Sequence, residues 1–280
     1  MIAGASAEER PALQYGIYDP EERFAKSDQI GVEHIFVHWE LSDVGRLRSA
    51  SDYATSRNRW LMVTVEPWPA HSRPGETLLT DITDGIYDSD LANIGSALGE
   101  LNRPVFVRWG HEMEDLTGRY PWASRDAEAY IKAYRYFVDR CRLWSHGRFY
   151  FVWSPKGRQS MSAYYPGDEY VDYVGVSVYG LEQWDIDHYG KPLDFNERFS
   201  EIYSLASRYK KPVMIAELGV AGDAAYRRTW FTQVAAASSA FPLLRIVVYF
   251  NAVDPDRWPD GQGNPDWRIG PGDLEPIGKK

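Results

Sequence analysis

The chain is 280 residues long with a formal charge of −9, and its acidic and basic residues are interspersed, so no basic face is offered to a phosphate backbone and nucleic acid is excluded as a partner. No window supplies the roughly 18 apolar residues of a membrane span, and the single cysteine, Cys141, excludes an intrachain disulfide and a cysteine-built metal site. An apolar fraction of 44% suffices for a sizeable core, whereas 11 Trp and 19 Tyr exceed what that core needs and point to sugars, whose C–H faces stack on aromatic rings.

Residues 1–12 lack the basic start and apolar stretch of a signal peptide and read as a disordered segment or the remnant of a leader. That is the pattern of a secreted or periplasmic protein, or of a cytosolic start. From residue 13 to 280 short apolar runs alternate with amphipathic stretches. Strands are predicted at Gln14–Tyr18, His34–Trp39, Trp60–Val65, Pro104–Trp109, Phe149–Trp153, Asp172–Val178, Pro212–Ala216 and Arg245–Phe250. Helices are predicted at Pro20–Gly31, Asp43–Asn58, Asp90–Leu101, Ser124–Trp144, Leu193–Tyr209 and Ala224–Ala240, with shorter turns near Arg158–Tyr164. Ser124 is placed as a helix cap, Gly31 and Gly147 as helix stops, and Pro104 and Pro212 at strand starts, where a missing N–H is tolerated. Strand alternating with helix implies parallel strands with right-handed crossovers, and eight such units predict a single-domain (β/α)8 TIM barrel, expected to be a monomer.

Chemistry in such barrels gathers at the C-terminal ends of the strands. Those ends carry Asp19, Glu40, Glu66 with Trp68, His111 with Glu112, Trp153, Tyr179, Glu217, and Asn251 with Asp254, an acidic and aromatic mouth. The two sharpest segments are Arg108-Trp-Gly-His-Glu112-Met-Glu114, after the apolar run 104–107, and Lys211-Pro-Val-Met-Ile-Ala-Glu217-Leu-Gly219. Two carboxylates delivered by two parallel strands suit glycosidic cleavage, because one must donate a proton while the other stays ionised. A carboxyl separation of about 5 Å would make the enzyme a retaining one. Trp39 and Trp68 are divided evenly between core and sugar contact, and Trp153 between packing the mouth and stacking a sugar.

The segment Arg108-Trp-Gly-His-Glu112-Met, followed by Gly118-Arg-Tyr-Pro-Trp122, resembles the acid/base motif of glycoside hydrolase family 26, the β-mannanase and lichenase family. Val152-Trp-Ser-Pro155, Tyr164-Tyr-Pro-Gly-Asp-Glu-Tyr-Val-Asp172 and Lys211–Gly219 resemble its later strand motifs, in the family's order from strand four to strand eight. The resemblance implies a (β/α)8 fold, a retaining double displacement, endo cleavage of a β-linked polysaccharide, and no cofactor or metal in the chemistry. It carries over Glu112 as acid/base and Glu217 as nucleophile. It also assigns Arg108 and His111 to the nucleophile and the sugar at the cleavage subsite, Tyr179 to a hydrogen bond on the nucleophile, and Trp184 to packing on that sugar. Arg108 and Tyr179 would favour the charged form of Glu217, and a less polar surrounding from Trp109 or Trp122 would keep Glu112 protonated until it donates. Trp122, Trp68, Trp153 and Glu66 complete the expected substrate contacts.

The departures concern substrate. Where the family commonly reads His-Glu-Met-Asn-Gly, this chain has Glu114-Asp115-Leu-Thr-Gly118, two acids in place of an amide at the cleft, and strand eight has Tyr249-Phe250-Asn251 where a Trp is common. With a Trp-rich mouth, these favour a β-1,4-glucan, with or without 1,3-linkages, over β-1,4-mannan, and a branch associated with bacterial exopolysaccharide. Two rival readings are a metal-dependent barrel hydrolase, for which His34 and His38 are the only close histidine pair, and a non-catalytic glycan-binding barrel serving polysaccharide synthesis or export.

Overall fold

The computed structural model describes residues 13–39, 44–69, 77–101, 103–144 and 147–278. The segment 1–12, Glu40 and the predicted helix start at Asp43 lie outside the described residues. Eight strands, β1 (Gln14–Tyr18), β2 (Val32–His38), β3 (Trp60–Glu66), β4 (Val105–Trp109), β5 (Phe149–Trp153), β6 (Tyr173–Leu181), β7 (Val213–Ala221) and β8 (Leu244–Phe250), pair in parallel and in chain order. β8 pairs with β1 and closes the barrel. The intervening helices are α1 (Val44–Ser56), α2 (Leu78–Thr83), α3 (Asp88–Gly99), α4 (Ala127–Trp144), α5 (Glu182–Tyr189), α6 (Phe195–Ala206) and α7 (Ala224–Ala240). Among the described residues no helix is long and apolar enough to cross a membrane.

The period-two alternation of each strand divides the core in two. Val32, Met62, Phe106, Val152, Met214, Ala216, Ile246 and Val248 fill the barrel interior, while Val63, Val107, Trp109, Phe151, Trp153, Val174 and Ile215 face outward and pack with the helices. A side chain such as Phe106, 3% exposed, contributes about 1.5–3 kcal/mol by leaving water. The inward positions then continue past this apolar plug into the mouth, where the same parity delivers polar groups.

Two helix expectations are corrected. Pro20–Gly31 is a run of turns and not a helix: Asp19 Oδ2 accepts from Phe24 N at 2.7 Å, and Glu22 takes a left-handed φ of 54°, which a helix cannot continue through. Gly31 therefore stops no helix, and its N–H donates instead to Tyr15 O. Asp126 rather than Ser124 caps α4, accepting from Ala129 N at 3.0 Å, while Ser124 Oγ accepts from Asp126 N. α2 and α5 were not anticipated, and α5, which ends at Gly190 with φ 72°, forms part of the cleft wall.

Candidate active site

β4 presents Phe106 and then Arg108 to the interior. The Arg108 side chain is wholly buried, with Nε donating to Ser154 Oγ at 2.8 Å and Nη1 to Glu217 Oε1 at 2.5 Å. Burying a guanidinium costs several kcal/mol unless a counter-charge meets it, so the pair is interdependent. Glu217 reaches this position through a bulge. β6 pairs Val176 with Ile215 and then Ser177 with Glu217, leaving Ala216 as an extra residue in β7. Met214 and Ala216 already point inward; without the extra residue Glu217 would face the helices, and with it the carboxylate turns into the mouth. Its second oxygen accepts from Tyr179 OH at 2.6 Å. Tyr179 fits because residue 219 is glycine, where a Cβ would stand 2.5 Å from the tyrosine ring.

After β4 the chain turns sharply. Gly110 has φ 51° and Glu112 φ 53°, the latter a left-handed conformation that costs a side-chain-bearing residue roughly 1–2 kcal/mol. Three hydrogen bonds hold it: Glu112 N to Ser154 O at 2.8 Å, Trp122 Nε1 to His111 O at 2.7 Å, and Tyr130 OH to Gly110 O at 3.1 Å. Glu112, 4% exposed, accepts from Ser177 Oγ at 2.5 Å, and Lys156 Nζ stands 3.6 Å from its other oxygen. Trp109 is not beside it but packs outward, stacked on Phe137 of α4.

His111 is buried, shares a hydrogen bond with Tyr120 OH at 3.1 Å and lies 4.0 Å from Glu66. Burial first, then the nearby Arg108 charge, drives its pKa well below the usual histidine value, so it is neutral. Glu66, at the end of β3, is pushed up to about 7, chiefly by burial. Trp68 is half-buried and meets Trp122 edge to face at 5.2 Å.

The structure corrects the expected sugar contacts. Trp153 is wholly buried, because Val152 takes the inward position of β5 and leaves Trp153 facing outward between Tyr165 and Tyr209. Trp122 is equally buried, stacked on Tyr120 behind His111. Trp39 packs in the core against Tyr87. Trp184 lines the cleft, but its ring stacks on His188 at 4.0 Å and its Nε1 donates to Asp260 at 3.3 Å. Glu114 and Asp115 are 3% and 1% exposed, and Asp115, which borders the cleft, is covered there by Lys156 Nζ at 2.5 Å.

A cleft of about 920 Å³ opens beside Glu112 and Tyr179, with Trp184, Trp258, Arg119 and Lys156 among its walls. Ser177, Lys156, Arg119 and Trp258 were missed from the sequence. Ser177 was findable as the inward residue two before Tyr179; Trp258 sits in the long segment after β8, where no periodicity exists to place it. It meets Tyr179 edge to face at 5.8 Å, and the buried Trp267 packs on the same tyrosine at 4.9 Å. Among the described residues no three His, Cys, Asp or Glu side chains cluster as a metal site.

Residues 80–238 match the profile described as glycosyl hydrolase family 26. Endoglucanase H of Acetivibrio thermocellus is 26% identical over 274 residues, covering 89% of this chain and 28% of its own length. A beta-1,3-xylanase of an Alcaligenes species is 29% identical over 147 residues, covering 46% of this chain and 30% of its own. A mannan endo-1,4-beta-mannosidase of Bacillus subtilis is 28% identical over 173 residues, 57% of this chain and 40% of its own. The chain thus spans less than half the length of these curated relatives. Among solved structures, a GH26 β-mannanase from Bacteroides ovatus superposes with a TM-score of 0.65 at 16% identity, covering 95% of this chain and 87% of the other. GH26C from a Muricauda species gives 0.65 at 17%, covering 86% and 79%. At these identities the structural likeness is one of fold.

Proposed function

The chain belongs to glycosyl hydrolase family 26, and from that premise we propose that it is a retaining endo-β-glycanase with Glu217 as nucleophile and Glu112 as acid/base. The observation that carries this reading is the shared support of the two carboxyls by β6: Ser177 donates to Glu112 and Tyr179, two residues on, donates to Glu217. Both carboxyls therefore lie in one patch at the barrel mouth, as a double displacement needs.

In the first step Glu217 attacks the anomeric carbon while Glu112 protonates the departing glycosidic oxygen, leaving a glycosyl ester on Glu217 and a free hydroxyl on the leaving sugar. In the second, the Glu112 carboxylate takes a proton from water as that water attacks the same carbon and releases Glu217. Arg108 and Tyr179 hold both oxygens of Glu217 in place throughout. Neutral His111 and Glu66 stand on the β3 and β4 side, available to the hydroxyls of the reacting sugar.

The substrate we favour is a β-1,4-glucan, with or without 1,3-linkages; the relative that covers most of this chain is named an endoglucanase. β-1,4-Mannan is the second reading, supported by the mannosidase relative. Glu217→Ala is expected to abolish hydrolysis, with azide restoring turnover as an inverted glycosyl azide, whereas Glu112→Ala retains activity on substrates with good leaving groups. The reverse behaviour would exchange the two roles. Digestion of lichenan, barley glucan, carboxymethyl-cellulose and galactomannan, with products sized by mass spectrometry, separates the substrates. Failure to release reducing ends from any of them would favour a glycan-binding barrel.

A further inference from the structure

The cleft that opens beside Glu112 presents four cationic side chains at its surface in a protein whose net charge is −9. Arg119, Lys156, Arg158 and Arg257 line it. The side chains of the first three are 27%, 33% and 51% exposed, and Arg257 is exposed. The carboxylates that answer them lie mostly behind the surface. Asp115, 2% exposed, serves two cations at once, with Lys156 Nζ at 2.5 Å and Arg158 at 3.8 Å. Asp254, 4% exposed, meets Arg119 at 3.4 Å. Only Asp256 reaches solvent, at 54%, and it is taken up by Arg119 Nε at 2.7 Å. Arg257 has no carboxylate partner among the described residues. Arg198, which also lines the cleft, is matched by buried Asp185. By formal charge the four cations are balanced by Glu112, Asp115, Asp254 and Asp256, but the cationic ends reach the cleft while Glu112, Asp115 and Asp254 are 4% exposed or less, so positive charge faces outward and negative charge lies behind it.

This layering is built into the backbone. Buried Glu114 accepts from Gly157 N at 3.1 Å and sits within 3.5 Å of Arg158 N, which fixes the loop 156–158 against the β4 turn. Gly157 takes φ 92° with Ile202 against its α-carbon, so the loop passes where a side chain could not. Two buried acids thus hold a loop whose cationic ends face the cleft, a preorganised arrangement for an anion.

We propose that the side of the cleft next to Glu112 takes a sugar unit bearing a carboxylate, gripped by Arg158 and Arg257 with Lys156 between the acid and that unit. The inference rests on the reading above, in which Glu112 protonates the leaving oxygen, so this is the leaving-group side.

The test pairs cello- and manno-oligosaccharides of equal length whose leaving-side unit is either the neutral sugar or its C6 carboxylic acid. At low salt the native chain is expected to favour the acidic member by roughly 5-fold in kcat/KM, the size of one well-placed exposed ion pair. The preference should shrink towards unity at about 0.5 M NaCl, where screening is strong. The double variant Arg158→Gln/Arg257→Gln is expected to lose the preference, while Lys132→Gln on α4 keeps it. Calorimetric binding of the same pairs to Glu217→Ala reads the preference without turnover. Equal or weaker handling of the acidic member in both measurements overturns the inference; cleavage without preference does so while sparing the endo-glycanase reading. A binding preference with no cleavage of any member would sink that reading and leave the anionic subsite standing.

Discussion

Ser177 and Tyr179 stand on the same inward face of β6, and the first donates to Glu112 at 2.5 Å while the second donates to Glu217 at 2.6 Å. One strand thereby sets the relative position of two carboxyls that arrive on β4 and β7. The bulge at Ala216 makes this possible, since it brings Glu217 into register with Ser177 rather than one residue past it.

Tyr179→Phe tests the link directly. It removes one donor from Glu217 and keeps the ring that packs on Trp267. A hydrogen bond to a charged group is worth about 1.5–3 kcal/mol, so kcat/KM should fall by roughly 10- to 100-fold. The melting temperature should move little. Full activity in this variant would mean that Glu217 does not depend on the tyrosine.

Gly219→Ala should reproduce that loss by a different route. Its Cβ would sit 2.5 Å from two carbons of the Tyr179 ring and 3.0 Å from Trp267. Overpacking of this kind costs about 1–3 kcal/mol and would displace the hydroxyl from Glu217. Gly45→Ala is the control: nothing lies within 4 Å of its added methyl, and its place in α1 predicts a gain of about 0.5–1 kcal/mol. Thermal melts and kcat/KM on the same samples separate the two outcomes.

The pH dependence of stability follows from buried groups around the mouth. Burial raises Glu66 and Glu114 each to about 7 from 4.5, so between those values the native chain holds protons that the unfolded chain has released, and stability falls as pH rises. His34 and His111 are driven the other way, by burial and by Arg108, to well below 6.5. The unfolded chain protonates them first, so stability falls as pH drops below 6.5. The effects oppose each other below 6.5, and above it only the carboxyls act. A declining melting temperature from pH 6.5 to about 8 is expected, and Glu114→Gln, which cannot ionise, should make that decline shallower. An unchanged slope would show that Glu114 titrates alike in both states.

The barrel was legible because periodicity survives in every strand: the expected ranges of β1 and β5 coincide with the observed ones and the other six differ only at their ends. Arg108, Glu112, Tyr179 and Glu217 were legible because each terminates or follows an apolar run. Parity also decides between the two readings of Trp153, which follows inward Val152 and so points outward. The turn at Asp19–Phe24 was not readable, since Pro20-Glu-Glu-Arg23 has the composition of a helix start and only the Asp19 side chain and the left-handed Glu22 redirect it. Glu114 and Asp115 look from local sequence like acids facing substrate; their burial depends on the 156–158 loop, some forty residues away, which local sequence cannot supply. The segment after β8 has no period at all, and side chains order it, one of them accepting four hydrogen bonds.

That side chain is Asp254, and removing it is the final test. Its Oδ2 accepts from Trp258 Nε1 at 2.8 Å and Trp267 Nε1 at 3.2 Å, and its Oδ1 from Asp256 N at 3.1 Å and Arg119 Nη2 at 3.4 Å. The residue is 3% exposed, so its charge is stabilised by these donors rather than by water. Asp254→Ala leaves two indole N–H groups without their acceptor and Arg119 with Asp256 alone, a loss on the order of 2–4 kcal/mol. Because Trp258 walls the cleft and Trp267 backs Tyr179, the damage should reach function in two parts. A raised KM would follow from the loss of the wall, and a lowered kcat from the loosened tyrosine. Asp254→Asn keeps one carbonyl acceptor and should fall between Ala and native in both stability and KM. Urea denaturation midpoints together with kcat and KM decide it: a native-like midpoint and KM for Asp254→Ala would mean that the segment after β8 is held without Asp254, by its backbone bridges at Val253–Asp266 and Trp258–Gly263 and by bonds such as Ile269 N to Asn251 Oδ1 and Tyr249 OH to Trp267 O.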